Sequence, residues 1–104
     1  MTESPQTFGD LALEVRSKNA GPFWVTVELF LRDAVSYARA VVLSEEAIAR
    51  LYDVRAEDVQ IFRIPALNVV KISFPRPVAQ GGLRDRDVHA GQHHVPLASL
   101  PLPD

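Results

Sequence analysis

A chain of 104 residues has room for one domain with a modest core, and 47 % apolar with 23 % charged residues is the balance of a folded protein, not a disordered one. The formal net charge of −2 leaves no concentrated basic surface, which excludes nucleic acid as an expected partner. Cysteine is absent, so disulfide staples, thiolate metal sites and a cysteine nucleophile are excluded, and a cytoplasmic setting is expected.

One domain is expected over residues 1–104, with 1–6 as a flexible lead-in. Met1-Thr2-Glu3-Ser4-Pro5 has neither a basic start nor an apolar run behind it, so no secretory signal is expected. No apolar stretch approaches the ~20 residues needed to cross a bilayer, and no membrane partner is expected. Thr7 followed by Asp10 at the spacing of a capping box, with Phe8, Leu11, Ala12 and Val15 at helical spacing, predicts a short first helix. Arg16-Ser17-Lys18-Asn19-Ala20-Gly21-Pro22 then reads as a polar loop, because Asn, Gly and Pro favour turns.

Residues 23–31 predict a central strand, with Val25, Val27, Leu29 and Leu31 on one face and Trp24, Thr26, Glu28 and Phe30 on the other. From Asp33, the residues Val35, Ala38, Val41 and Val42 suggest a short helix. Ser44 then caps a second helix with Glu45 and Glu46 in its first turn and Ile48, Leu51 and Tyr52 as its apolar stripe. Residues 59–64 and 69–74 alternate and are separated by Pro65-Ala66-Leu67-Asn68, which predicts an antiparallel hairpin with Ile64 opposite Val69 and Ile61 opposite Ile72. Residues 78–94 read as an irregular connection, and the proline-rich stretch 95–102 as an edge strand at most.

The expected architecture is therefore α+β, ferredoxin-like in the loose sense: a mostly antiparallel sheet, helices on one face and an extended C-terminal tail. The uncovered face would carry Trp24, Phe30, Phe62, Ile64 and Val69, an apolar patch of the kind that marks an interface.

Three constellations have chemical potential. The cations Arg16 and Lys18 beside a turn at Gly21 suit a carboxylate or phosphate, although a helix-to-strand turn with solvated charges explains the same residues. His89, His93 and His94 with Asp87 supply metal-ligand atom types, but Gly91 breaks the helix that would align them, and no metal is expected; His94 is instead a candidate acid or base. Lys71 on the polar face of the hairpin and Arg76 beyond it add cations. No nucleophile elbow, phosphate-binding loop or dinucleotide fingerprint is present, and no cofactor is expected.

Arg16-Ser17-Lys18-Asn19-Ala20-Gly21-Pro22-Phe23, Pro65-Ala66-Leu67-Asn68, Lys71-Ile72 with Pro75-Arg76-Pro77, and Asp87-Val88 leading to Gln92 and Pro96-Leu97 together resemble the domain of unknown function 4387 family over residues 7–102. In that family the tail usually reads Asp-Val-Tyr-Gly-Ala-Gln-Gln-His; here Ala90 and Gly91 are exchanged, and His89 and His93 replace the tyrosine and the second glutamine, so His94 alone of the histidines fits. A more distant similarity runs to the C-terminal ferredoxin-like domain of acyclic terpene utilisation AtuA-like proteins. Arg16, Ser17 and Gly21 match its Arg-Ser-Gly-Asp-Lys-Gly loop, while Lys18 and Ala20 stand where its glycine and lysine would be.

The resemblance implies a small accessory subunit encoded beside an AtuA-like large protein in carboxylic-acid or acyl-thioester catabolism. Arg16, Ser17, Lys18, Asn19, Gly21, Asn68, Lys71, Arg76, Asp87 and Gln92 are then the candidate anion- or ligand-binding residues, and an anionic small molecule the candidate ligand. Two other readings stay open: a homo-oligomeric hydratase or lyase using His94 with Arg16 as carboxylate anchor, and a non-catalytic ligand-binding module.

Overall fold

The computed structural model describes residues 7–21, 23–75 and 94–103. Strict alternation sets the centre of the molecule. In β2 (Trp24–Leu31) and β4 (Val69–Pro75), every second side chain turns to the same side, and Val25, Val27, Leu29, Val70, Ile72 and Phe74 are completely buried there. Burying each large aliphatic or aromatic side chain in this way contributes about 1.5–3 kcal/mol.

Four antiparallel strands lie in the order β1-β2-β4-β3, with β1 spanning Ala12–Asn19 and β3 Gln60–Ile64. Two hairpins thus stand side by side, joined through β2 and β4, with Val27 opposite Ile72 and Leu29 opposite Val70. The β3–β4 hairpin has the expected register, Ile64 facing Val69 and Ile61 facing Ile72. Its connection is a single 3₁₀ turn over Pro65–Leu67, closed by Asn68 at φ 54°, a left-handed conformation that asparagine tolerates better than most residues.

Helices α1 (Phe8–Leu11), α2 (Ala34–Ala40), α3 (Glu45–Tyr52) and α4 (His94–Ala98) all contribute to one core against one face of this sheet. Tyr52 of α3 stacks on Phe74 with ring centroids 4.2 Å apart, and its hydroxyl accepts the Leu97 N–H of α4 at 3.3 Å. The caps fall where expected. Ser44 Oγ accepts the Ala47 N–H at 3.1 Å, and Asp33 accepts the Ser36 N–H at 2.8 Å, a bond that holds the Asp33 carboxyl below its ordinary value. The α+β class and the one-sided layering agree with the sequence, and the ferredoxin likeness is confined to that layering.

Three expectations need correction. The first helix forms at its capping box, where Thr7 Oγ1 accepts the Asp10 N–H at 3.1 Å, but it stops at Leu11, and Val15 belongs to β1 opposite Leu29. The residues 16–19, read as a loop, continue that strand; only Ala20, Gly21 at φ 95° and Phe23 belong to the described turn into β2. Pairing with a strongly apolar central strand outweighed a helical spacing carried by four residues. The third concerns the C-terminus, where His94–Ala98 is a helix and not part of an edge strand. Pro96 lies in its first turn, where a missing N–H costs no helical bond, and beyond it the described residues pair through a single bridge between Thr7 and Pro101. In α2, finally, Val35 points to solvent while Ser36 and Ala40 are buried, and Val42, expected to continue the helix, lies beyond its end and is exposed.

Candidate functional site

Placing residues 14–19 in a strand divides the candidate residues between two faces, because neighbouring side chains point to opposite sides of a sheet. Arg16 and Lys18 turn to the open face, the one that none of the described helices covers, and Ser17 and Asn19 turn to the helix-covered face.

On the open face the register builds three rows. Arg16, Glu28, Lys71 and Phe62 lie side by side across the four strands; beside them runs Lys18, Thr26, Ser73 and Gln60, and on the other flank Glu14, Phe30, Val69 and Ile64. Trp24, opposite Pro75, closes the far end. All five apolar residues expected on this face are found there, with Trp24 37 % and Phe62 47 % exposed. Arg16 is held over the Phe30 ring, its guanidinium carbon 5.0 Å from the centroid, and its Nε lies 3.7 Å from Glu14 Oε1. At the centre Thr26 is only 3 % exposed, so its hydroxyl requires a partner, and Ser73 Oγ provides one at 3.1 Å. Three cations, Arg16, Lys18 and Lys71, and two carboxylates, Glu14 and Glu28, thus surround a paired hydroxyl couple, flanked by aromatic rings. Such a surface suits a carboxylate-bearing ligand or an acidic protein rim.

On the covered face Ser17 meets His94. Ser17 Oγ accepts the His94 backbone N–H at 3.2 Å and lies 3.3 Å from the His94 Nδ1. One hydroxyl therefore fastens the start of α4 to β1 while touching the imidazole. Asn68 contributes its backbone, its carbonyl accepting the Leu31 N–H at 2.8 Å at the end of the central strands. The structure thus brings Arg16, Lys18 and Lys71 onto one surface, joins Ser17 to His94 on the other, and sets Gly21 and Asn68 in turns. Arg76, Asp87 and Gln92, with His89 and His93, lie outside the described residues.

Thr26, Glu28 and Ser73 were legible as polar residues of the right face, but nothing in their spacing marked them as neighbours of Arg16 and Lys18 before β1 was known to be a strand. Arg63 was missed altogether. From β3 it reaches across the edge, Nε donating to the Val41 carbonyl at 3.1 Å and Nη2 to the Leu43 carbonyl at 2.7 Å, and so satisfies groups left open where α2 ends.

An apolar cavity of about 180 Å³ lies elsewhere, between α1, the start of α3 and the C-terminal segment, lined by Phe8, Val42, Leu43, Ala47, Leu100 and Pro101 among others. None of the candidate residues lines it. Among the described residues no three His, Asp or Glu side chains gather as metal ligands, and no helix is long and apolar enough to cross a membrane.

A family model described as Domain of unknown function (DUF4387) matches residues 8–101. No curated protein and no solved structure matches the chain.

Proposed function

The chain belongs to the Domain of unknown function (DUF4387) family, and from that premise we propose that it is a small cytoplasmic accessory subunit that docks through its open sheet face onto an AtuA-like large protein acting on carboxylic acids or acyl thioesters. The observation that carries the reading is the one-sided layering: four strands with helices packed on one face, and on the other an aromatic and cationic surface. Trp24, Phe30 and Phe62 give the rigid aromatic area, and Arg16 the guanidinium, in which interface cores are enriched, and a protein surface offers the natural cover for them. Arg16, Lys18 and Lys71 sit where the two proteins would meet and can hold the carboxylate of a substrate or of the partner itself.

The test is co-expression with the adjacently encoded large protein, purification through a tag on this chain, and size-exclusion chromatography. Stoichiometric co-elution is expected, and it should be lost when Phe62→Asp and Trp24→Asp are introduced together. Separate elution of two folded proteins would overturn the reading.

One observation favours a second reading, an independent hydratase- or lyase-type enzyme: the approach of Ser17 Oγ to the His94 imidazole. Arg16, the intended carboxylate anchor, stands on the other face of β1 from His94, so a substrate would have to reach around the strand edge to touch both. Turnover by the isolated chain that disappears in His94→Gln, with the fold intact, would establish this alternative.

A further inference from the structure

Among the described residues β1 is an edge of the sheet, and its backbone has a defined outward side. The Ala20 N–H donates to the Trp24 carbonyl at 2.9 Å, across to β2. Antiparallel strands alternate residues whose backbone groups face the partner with residues whose groups face away, so Glu14, Arg16 and Lys18 share the inward set with Ala20, and Val15 directs its N–H and C=O away from β2, to the outer edge. Natural edges are commonly blocked by lysine runs, proline or bulges. Between Glu14 and Asn19 there is no proline and the pairing with β2 is regular; the bulge lies at the far end, between Ala12 and Glu14. The charges that do flank Val15 are of opposite sign.

We propose that two copies of this chain join edge to edge through β1, about a two-fold axis at Val15. In that register the two Val15 residues exchange both backbone hydrogen bonds, and Glu14 stands opposite Arg16 of the partner subunit, as Arg16 stands opposite Glu14 of the partner subunit. With the contact already present within each chain, at 3.7 Å, four charges of alternating sign close into a ring on the open face. The neighbouring registers fail. An axis at Arg16 would set the two Arg16 side chains directly against each other, and one at Ser17 would set Arg16 against a second cation, Lys18 of the partner subunit. Leu13, 67 % exposed at the bulge, lies at the rim of this contact and gains cover from it. The axis runs perpendicular to the sheet, so the two four-stranded sheets become one of eight strands with both open faces on the same side. This inference is independent of the accessory-subunit reading, since it concerns the chain alone.

Sedimentation equilibrium of the purified full chain tests it, with circular dichroism to establish folding of each variant. The wild type should be dimeric. Arg16→Glu, which opposes four acids, should weaken the dimer by about ten-fold or more. The exchange variant Glu14→Arg with Arg16→Glu recreates the alternating ring and should restore the dimer. Phe62→Asp, on the far side of the same face, should leave it unchanged. A wild type that stays monomeric at every concentration reached overturns the proposal. So does a folded exchange variant that fails to dimerise, or a dimer lost in Phe62→Asp, which would move the contact from the edge to the face.

Discussion

On β2 and β4 two surfaces interleave residue by residue. Val25, Val27, Leu29, Val70, Ile72 and Phe74 turn inward and are completely buried, while Trp24, Thr26, Glu28, Phe30, Lys71 and Ser73 turn outward from the same two strands. The inward set is continuous with residues from all four helices, including Phe8, Ala40, Ile48 and Leu97. Within the outward set Thr26 bonds to Ser73, and the Arg16 guanidinium of β1 lies over Phe30. Both surfaces contain large apolar side chains, so hydrophobicity alone does not separate them. What separates them is that the inward residues exclude all charge, whereas outward aromatics alternate with cations and hydroxyls, a mixture that keeps a surface soluble until a partner covers it.

The largest test of that contrast is a pair of identical truncations. Phe74→Ala removes a buried ring stacked on Tyr52 and should cost about 3–5 kcal/mol of stability, whereas Phe62→Ala, 47 % exposed on the outward side, should stay within about 0.5 kcal/mol. Urea denaturation of both variants reads the difference directly. Equal losses would mean that the outward face is also part of the core.

A smaller effect comes from Tyr52, where the inward face meets α4. Burial raises its hydroxyl above the ordinary value near 10, although accepting the Leu97 N–H pulls the other way. The folded protein therefore holds the neutral phenol. Its contribution is fully present below the unfolded value and is lost as pH rises from about 10 toward the higher folded value. Tyr52→Phe should cost about 1 kcal/mol at neutral pH by leaving the Leu97 N–H without its acceptor, and should flatten the alkaline decline in melting temperature. An alkaline decline as steep in the variant as in the wild type would assign it to other groups.

How far this division is readable in the sequence differs between strands. In β2 and β4 apolar and polar positions alternate without interruption, so face, centrality and the β3–β4 register follow from period two alone. β1 defeats the same rule. Its inward positions Val15, Ser17 and Asn19 are mostly polar, because they lie at the sheet edge under α4, and Leu11, Ala12 and Val15 happen to match a helical period. The charges at Glu14, Arg16 and Lys18 do keep a strict two-residue spacing, which was the available sign of a strand. Missing it merged Arg16, Ser17, Lys18 and Asn19 into one loop site, when the pleat assigns alternate members to opposite faces. The helix at His94–Ala98 was hidden for another reason. It is little more than one turn long, has a proline in that turn and relies on Ser17 and Tyr52, both distant in sequence, to accept the His94 and Leu97 N–H groups.

Adjacent residues of that string sharpen the comparison further. Ser17→Ala should cost about 1 kcal/mol, since it leaves the His94 N–H without its acceptor where α4 meets β1. Hydrogen exchange should show the loss concentrated in α4 and β1. An unchanged exchange pattern would mean that the contact contributes nothing to holding α4.

One residue earlier, Arg16→Ala should have the smallest effect on the isolated fold, within about 0.5 kcal/mol, because the side chain is exposed and its ion pair with Glu14 is solvent-screened. Its consequence lies in association. The guanidinium that covers Phe30 on the outward face also supplies the charge expected to meet a partner, so binding to the large protein, or to a carboxylate probe such as a short acyl acid followed by calorimetry, should weaken while the melting temperature holds. A lowered melting temperature with unchanged association would reverse the assignment, making Arg16 a clasp of the strand and leaving Lys18 and Lys71 as the cations that face outward.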